Sequence, residues 1–195
     1  MRLYKFILWL CLLLALVDIA WSEERVTFLI DRNRYMRRAI ASEVAKQSVA
    51  KLPIKVSYRI KVSPRNQCSK LPTDDGVQFD CYKKVRAKIR GRVLFLSEPT
   101  IINDVIYTEG RAQVCVSFAT GVCNITEKNQ ENKNRIAHAI VACAHELGHM
   151  FGAFHDNNFY DECVSIMHYA PFPYIDLCEM KFSLVSVRQV KWCLR

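Results

Sequence analysis

The chain has 195 residues, which suits one domain or one domain plus a targeting segment. Hydrophobic residues make up 51% and charged residues 24%, close to globular averages, so collagen, coiled coil and disorder are excluded as the main description. The formal net charge of +9 favours anionic partners, and nine cysteines point to an oxidising compartment.

The start of the chain, residues 1–22, has the pattern of a secretory signal peptide. Arg2 and Lys5 precede an apolar run over residues 6–17, which is too short to span a bilayer. Small residues at Ala20 and Ser22 predict cleavage before Glu23, and an uncleaved anchor is the alternative. No later apolar run could span a membrane, so we expect residues 23–195 to be a secreted, soluble monomer that keeps eight cysteines.

The first half of the chain alternates between patterns, in the order strand 26–30, helix 36–49, strand 56–62 and loop 64–80. Strand patterns follow at residues 85–96, 105–107 and 112–118. From Arg135 the spacing of apolar residues becomes helical and stops at Gly152. Residues 156–182 are irregular, and Ser183 is a candidate N-cap for a last helix to about residue 192.

All five histidines lie between residues 138 and 168, and three of them belong to the motif His145-Glu146-x-x-His149-x-x-Gly152-x-x-His155. One helical turn separates His145 from His149, so both imidazoles share a face and can bind one metal ion. Along a continued helix His155 would lie about 15 Å from His145. Gly152 supplies the break that turns the chain back. Three neutral imidazoles leave a fourth zinc position open, as catalytic sites require.

Glu146 lies beside a zinc ligand but is not needed as one. Its carboxylate can accept a proton from zinc-bound water, so the motif predicts that Glu146 is the general base of a zinc hydrolase. The alternative is a secreted binding protein that keeps the zinc for stability and has no catalytic activity. Cleavage of a protein substrate that a chelator abolishes would separate these two functions.

The histidine motif, followed by Met167 within Ser165-Ile-Met-His-Tyr169, resembles the metzincin zinc peptidases, in which HExxHxxGxxH is followed by a Met-turn. Asp156 directly after the third histidine and the 12-residue interval from His155 to Met167 resemble the adamalysin, or reprolysin, family. The Met-turn residues themselves resemble astacins, but astacins have Glu after the third histidine and a much longer interval. The small secreted form is similar to the salivary reprolysins of ticks.

The resemblance implies an α+β metzincin fold with a mixed five-stranded twisted sheet, helices, and a cleft along the edge strand. It divides the catalytic domain into an upper subdomain, residues 23–152, and a small irregular lower subdomain, residues 153–195, below the zinc cleft. It also implies a secreted metalloendopeptidase with one catalytic zinc that cleaves matrix or clotting proteins. The calcium requirement stays open. In this scheme Met167 forms the Met-turn, and Asp156 and Gly152 support the site.

Two further positions follow Met167. If Tyr169 acts as the corresponding tyrosine does in astacins, it would face the zinc as a fifth ligand or oxyanion donor. The alternative is that its side chain has only a packing role. The resemblance implies that Pro171-Phe172-Pro173 forms the outer wall of the S1′ pocket, as the segment after the Met-turn does in metzincins. An ordinary proline-rich loop is the alternative.

The eight remaining cysteines allow many pairings, so spacing alone settles none of them. The resemblance implies that the last helix is tied to the scaffold and that one disulfide closes the Met-turn. With a third disulfide that closes the loop at 64–80, the scheme is Cys123–Cys193, Cys163–Cys178, Cys68–Cys81 and Cys115–Cys143.

One N-glycosylation sequon, Asn124-Ile125-Thr126, precedes the helix of the histidine motif. We expect it on a surface loop, because a glycan must extend into solvent. The neighbouring Cys123 could hinder the modification.

A basic segment lies in the predicted strand 85–96 and the residue before it. Read as a strand, it places five cations on one face: Lys84, Arg86, Lys88, Arg90 and Arg92. Such a face could bind a sulfated polysaccharide or could be a solvated edge that prevents aggregation. Nucleic acid is not expected, because the segment lacks stacking aromatic residues and the chain is predicted to be secreted.

Overall fold

The computed structural model describes residues 24–30, 38–63, 68, 71, 76–97, 110–125, 133–157, 159–160, 163–168 and 179–195. In chain order the helices and strands are β1 (Glu24–Ile30), α1 (Arg38–Ala50), β2 (Val56–Val62), α2 (Val77–Arg86), β3 (Arg92–Ser97), β4 (Gly110–Ala112), β5 (Thr120–Asn124), α3 (Lys133–Met150), β6 (Phe159–Tyr160), β7 (Cys163–Val164) and α4 (Leu184–Cys193). The predicted strands 26–30 and 56–62 and the three predicted helices are confirmed within a few residues.

Strands β1 to β5 form one sheet in the order β2-β1-β3-β5-β4. β1 pairs in parallel with β2 and β3, and β3 pairs in parallel with β5, whereas β4 is antiparallel to β5 at the edge. Parallel neighbours need crossover connections, which contain α1 between β1 and β2 and α2 between β2 and β3. This mixed five-stranded sheet, with four helices in the described part of the chain, confirms the predicted α+β class.

The inner strands β1 and β3 are buried on both faces, which explains their nearly continuous apolar sequences. Phe28 and Leu94 belong to the core on the face that α1 and α3 cover. Leu29 and Phe95 belong to the second core, on the opposite face, which α2 covers through Tyr82. Helices therefore cover both faces of the sheet.

Helix α3 packs against β4 and β5 and carries the first two histidines of the motif near its end. Its buried residues Ile140, Leu147 and Met150 form the predicted apolar stripe and pack into the core that contains Phe28 and Leu94. Gly121 of β5 lies where an added Cβ would come within 2.7 Å of the Met150 sulfur. This close packing fixes the end of α3 against the β4 side of the sheet.

The predicted strand over residues 85–96 is wrong in its first part. α2 ends at residue 86, begins inside the predicted loop 64–80, and is followed by a turn before β3 starts at Arg92. Phe79 and Tyr82 lie at helical spacing and pack under the sheet. The alternation of charged and apolar residues after residue 84 is too short to distinguish a strand from a helix. The packing of Phe79 and Tyr82 therefore determines that this segment is helical. Gly91, with φ 84°, then turns the chain into β3.

The five cations therefore do not share one strand face. Four of them lie on α2 or in the turn after it, namely Lys84, Arg86, Lys88 and Arg90. Arg92 is buried, with 7% of its surface exposed, and its guanidinium pairs with Glu24. Its Nε also donates a hydrogen bond to the carbonyl of Met150 at 3.2 Å. The polysaccharide contact, one of the two alternatives for this segment, depended on an exposed strand face, and this geometry removes its basis.

The predicted strand over residues 112–118 is also wrong. β4 ends at Ala112, and β5 begins at Thr120. Between them Cys115 has a positive φ of 51°, which does not fit a continuous strand. The strand predicted at residues 105–107 lies outside the described residues.

Asn124 of the sequon does not lie on a surface loop. It ends β5, where its register partner is Ser97 of β3, and only 4% of its surface is exposed. A glycan on this side chain would have to displace the packing around it. The expectation of an exposed glycosylation site is therefore wrong for the folded chain.

Candidate active site

The three histidines of the motif meet at the end of α3. The Nε2 atom of His145 lies 3.1 Å from Nε2 of His149 and 3.0 Å from Nε2 of His155, and the last pair is 3.1 Å apart. Two nitrogen ligands that each lie 2.0–2.1 Å from a tetrahedral zinc are about 3.3 Å apart. The spacing therefore fits one shared ion with three imidazole ligands.

The helix end that makes this meeting possible is a Schellman-type cap. Ala153 N–H donates to the carbonyl of Gly148 at 2.9 Å, and Gly152 N–H donates to that of His149 at 2.8 Å. Gly152 has φ 101°, a conformation that favours glycine. The cap reverses the chain within a few residues and brings His155 back to the helix.

Hydrogen bonds to backbone carbonyls fix the tautomers of the two helical histidines. Nδ1–H of His145 donates to the carbonyl of Ile166 at 2.7 Å, and Nδ1–H of His149 donates to that of Ala153 at 2.8 Å. In a neutral ring the lone pair is then on Nε2. Two lone pairs that face each other at 3.1 Å repel unless a cation lies between them. The donor set therefore fits a bound zinc.

The environment keeps these imidazoles neutral. Burial, together with the neighbouring His149, lowers the pKa of His145 to about 3. Burial also lowers the pKa of His149 to about 4, although its bond to Ala153 opposes the shift. The pKa of His155 is lowered by burial as well. Neutral imidazole is the form that binds a metal.

Glu146 lies beside the cluster with only 6% of its surface exposed. Its Oε2 atom has no hydrogen-bond partner among the described residues. Burial raises the pKa of this carboxyl to about 8, although the charge of Arg111 on β4 opposes the shift. A cation bound by the neighbouring imidazoles would lower this pKa and favour the ionised carboxylate. With its unused acceptor, that carboxylate is suited to take a proton from a small molecule beside the cluster.

Gly110 is a site residue that the sequence did not indicate. A Cβ at this position of the edge strand β4 would come within 2.5 Å of both Cγ and Oε1 of Glu146. The glycine therefore gives the Glu146 carboxyl its space. Only a correctly predicted edge strand could have identified it, and the predicted strands missed residue 110.

Met167 lies in a tight turn beneath the cluster and is fully buried. Its N–H donates to Oγ of Ser165 at 3.1 Å, and its carbonyl accepts from Asp156 N–H at 2.9 Å. A Cβ on Gly148 of the motif would come within 2.5 Å of the Met167 sulfur. The turn thus packs directly on α3, between the two histidines that the helix carries.

Asp156 connects the third histidine to the last helix. Its Oδ2 accepts hydrogen bonds from the hydroxyls of Ser186 at 2.5 Å, Ser183 at 2.6 Å and Ser165 at 3.3 Å. Ser183 is the predicted N-cap of α4, and its Oγ accepts from the N–H of Ser186 at 2.9 Å. Ser165 and Ser186 are partners that sequence analysis missed.

Two of the predicted disulfides are wrong, because Cys123–Cys143 and Cys115–Cys193 replace Cys123–Cys193 and Cys115–Cys143. Cys123 faces the middle of α3, about 10 Å before the helix end. Cys115 instead lies at that end, where its N–H donates to His149, and Cys193 packs there against Gly152. The predicted Cys68–Cys81 bond is present. Cys163 is also disulfide-bonded, and its predicted partner Cys178 lies outside the described residues.

Other predicted features fall outside the described residues as well. These are the signal peptide at residues 1–22, Tyr169, and the S1′ wall at Pro171, Phe172 and Pro173. Their roles remain predictions.

Comparison with known proteins agrees with this geometry. Residues 104–171 match the family model described as Metallo-peptidase family M12B Reprolysin-like. The structure resembles archaemetzincin from Methanopyrus kandleri with a TM-score of 0.60 and 15% identity, covering 89% of this chain and 97% of that one. It also resembles metalloproteinase-II from Bacteroides fragilis with a TM-score of 0.58 and 17% identity, covering 88% of this chain and 52% of that one. No curated protein sequence matches the chain.

The match over residues 104–171 contains the whole histidine cluster, which lies at the end of α3 beside the mixed sheet and could hold one metal ion. The reprolysin-like match supports a metzincin-type zinc metallopeptidase. The two solved structures show that this chain shares their fold.

Proposed function

We propose that this protein is a secreted zinc endopeptidase in which Glu146 activates the attacking water. One observation carries the proposal. The three Nε2 atoms lie 3.0–3.1 Å apart, and the buried carboxyl of Glu146, with an unused acceptor atom, follows His145 directly in the chain. A zinc site kept only for stability would not need such a carboxyl.

Each residue of the site has a separate task. His145, His149 and His155 would hold the zinc, which when bound polarises the scissile carbonyl and lowers the pKa of water. The Glu146 carboxylate accepts a proton from the attacking water at its free oxygen. It then donates that proton to the leaving amine as the carbon–nitrogen bond breaks. Gly110 keeps the space in which Glu146 carries out both transfers.

Secretion is supported by the cysteines and by the leader pattern. Three disulfides join described cysteines, and Cys163 is bonded too, as in proteins from oxidising compartments. None of the helices that the structure describes has the length and apolar character of a membrane span. We propose that residues 1–22 are removed and that the rest forms the catalytic domain, divided at Gly152.

The proposed substrates are extracellular proteins, of the matrix or of clotting. In this proposal Pro171-Phe172-Pro173 contributes the S1′ wall. A library of peptides that varies the residue after the scissile bond would test this contribution. An F172A variant should change the preference at that position and leave the preference before the bond unchanged.

The deciding experiment is cleavage of denatured casein or gelatin by the secreted chain. Activity should disappear with 1,10-phenanthroline and return when zinc is added. Stoichiometric zinc without any cleavage would instead identify a binding protein with a structural metal. Cleavage that persists without zinc would overturn the metal assignment.

A further inference from the structure

Helix α4 presents large apolar side chains to solvent. Leu184 is 70% exposed, Trp192 is 73% exposed and Val185 is 46% exposed. Residues 184, 188 and 192 follow at intervals of four, so they lie along one face, and 185 and 191 are their neighbours on the helix surface. We call Leu184, Val185, Arg188, Lys191 and Trp192 the α4 surface.

The α4 surface is also cationic. Arg188 and Lys191 project from it, and α4 contains no acidic residue over its sequence LVSVRQVKWC. The nearest acid before the helix along the chain is Glu179, which pairs with Lys181 at 3.4 Å. Exposed tryptophan and leucine between cations are typical of helices that lie in the interface of an anionic membrane.

The helix is held firmly from behind, so this surface is a fixed feature of the fold. Ser186 and Val190, on its opposite side, are completely buried. Its start is capped by Ser183, and its end is linked to Cys115 by the disulfide of Cys193. The apolar side chains therefore remain outside because the fold holds them there.

The α4 surface adjoins the candidate active site. Phe154 is 55% exposed and immediately precedes the ligand His155. Its N–H donates to Oε1 of Gln189 on α4 at 3.0 Å. A further large apolar side chain thus extends the surface toward the histidine cluster.

We propose that the α4 surface binds the interface of an anionic phospholipid bilayer. Leu184 and Trp192 would enter the boundary between headgroups and acyl chains, and Arg188 and Lys191 would contact lipid phosphates and carboxylates. Side chains that are more than two-thirds exposed need a matching pocket in a protein partner, whereas a fluid interface accepts them without one. The cations complement the charge of the lipids. This binding does not depend on the proposed peptidase activity, although it would bring the cleft close to the membrane.

The test uses the chain secreted by cultured cells and two kinds of vesicle, one of phosphatidylcholine alone and one of phosphatidylcholine mixed with phosphatidylserine. Residues 23–195 contain a single tryptophan, Trp192, because the other two are Trp9 and Trp21. Its emission should shift to shorter wavelength with the anionic vesicles and should be quenched by brominated lipids. A W192F variant gives the emission of any tryptophan that remains in the leader.

Sedimentation with the vesicles measures the affinity. L184S/W192S should weaken binding by roughly tenfold or more, because serine lacks the apolar surface that leucine and tryptophan remove from water when they enter the lipid. R188Q/K191Q should weaken it by a similar factor and remove the preference for phosphatidylserine. The matched controls are Y58S/V62S, which changes two exposed apolar residues on β2, and K55Q/K61Q, which removes one exposed cation on β2 and one directly before it. Both controls should bind like the wild type.

Circular dichroism and zinc content establish that each variant is folded. Unchanged Trp192 emission, or equal vesicle binding by wild type and L184S/W192S, would overturn the proposal. The proposal would also be overturned if the α4 surface recognised only negative charge. In that case soluble heparin would bind and compete, R188Q/K191Q would lose heparin and vesicles alike, and L184S/W192S would lose neither.

Discussion

The carbonyl of Ile166 accepts a hydrogen bond from Nδ1 of His145 at 2.7 Å. Because Ile166 directly precedes Met167, this bond couples the turn beneath the site to the first histidine on α3. The same turn receives the N–H of Asp156, which follows the third histidine. The turn thus holds residues on both sides of the cluster, and it does so through backbone atoms.

Changing His149 to Ala should remove the metal. The purified chain should hold about one zinc per molecule, and H149A should hold almost none after dialysis, because two imidazoles bind zinc too weakly. Atomic absorption measures the ratio. H138A is the matched control on the same helix and should keep its zinc. A stoichiometric ion in H149A would show that the three histidines are not the ligand set.

Changing Glu146 to Gln should separate metal binding from catalysis. E146Q keeps the shape of the side chain but cannot accept the proton, so kcat should fall by at least ~10² while zinc remains bound. A fluorogenic peptide gives the rate, and metal analysis gives the occupancy. E179Q changes an exposed glutamate and should behave as wild type. Full activity in E146Q would mean that another group is the base.

Changing Gly110 to Ala should displace Glu146 without touching a zinc ligand. The added Cβ would meet Glu146 Cγ and Oε1 at 2.5 Å, so kcat should fall by about 10² with zinc retained. In the control G91A the new methyl meets no atom within 4 Å, and the positive φ costs about 1 kcal/mol. G91A should lower Tm and keep its activity. Wild-type kcat in G110A would show that β4 does not confine the carboxylate.

The histidine cluster could be predicted because its geometry is local. Helical spacing aligns His145 with His149, and one glycine permits the turn that returns His155. The hydrogen bonds of Asp156 could not be predicted in the same way. Its partners Ser183 and Ser186 lie far along the chain, at separations of 27 and 30 in sequence number. Serines at such a distance have no sequence pattern that marks them as partners.

The disulfide pairing and the structure of the basic segment also depend on contacts between residues far apart in the sequence, which the sequence pattern does not reveal. Cys115 and Cys193 meet only because α4 packs at the end of α3, which no spacing of cysteines encodes. The residues after 84 fit a strand as well as a helix by their alternation alone. The burial of Tyr82 beneath the sheet decides for the helix, and that contact is tertiary.

Nonreducing peptide mapping should find Cys115 linked to Cys193 and Cys123 linked to Cys143. The Cα–Cα distances of the two pairs are 5.7 Å and 5.3 Å respectively, which suits a disulfide. Thiol titration of the denatured, unreduced secreted chain should find no free cysteine. Peptides that join Cys123 to Cys193 would contradict the arrangement of α4 described above.

Changing Asp156 to Ala should destabilise the connection between the site and α4. The carboxylate accepts hydrogen bonds from three serine hydroxyls, and its loss leaves buried Ser183 and Ser186 without this acceptor. Unsatisfied buried hydroxyls cost about 1–3 kcal/mol each, so Tm should fall by roughly 5–10 °C. The Tm of D156N should fall less, because the amide oxygen of asparagine still accepts hydrogen bonds from the serine hydroxyls. The control D80N removes an exposed ion pair with Lys83 and should leave Tm nearly unchanged. Equal Tm values for D156A and D80N would show that the serine contacts contribute no stability, and calorimetry of the zinc-loaded chain decides between these outcomes.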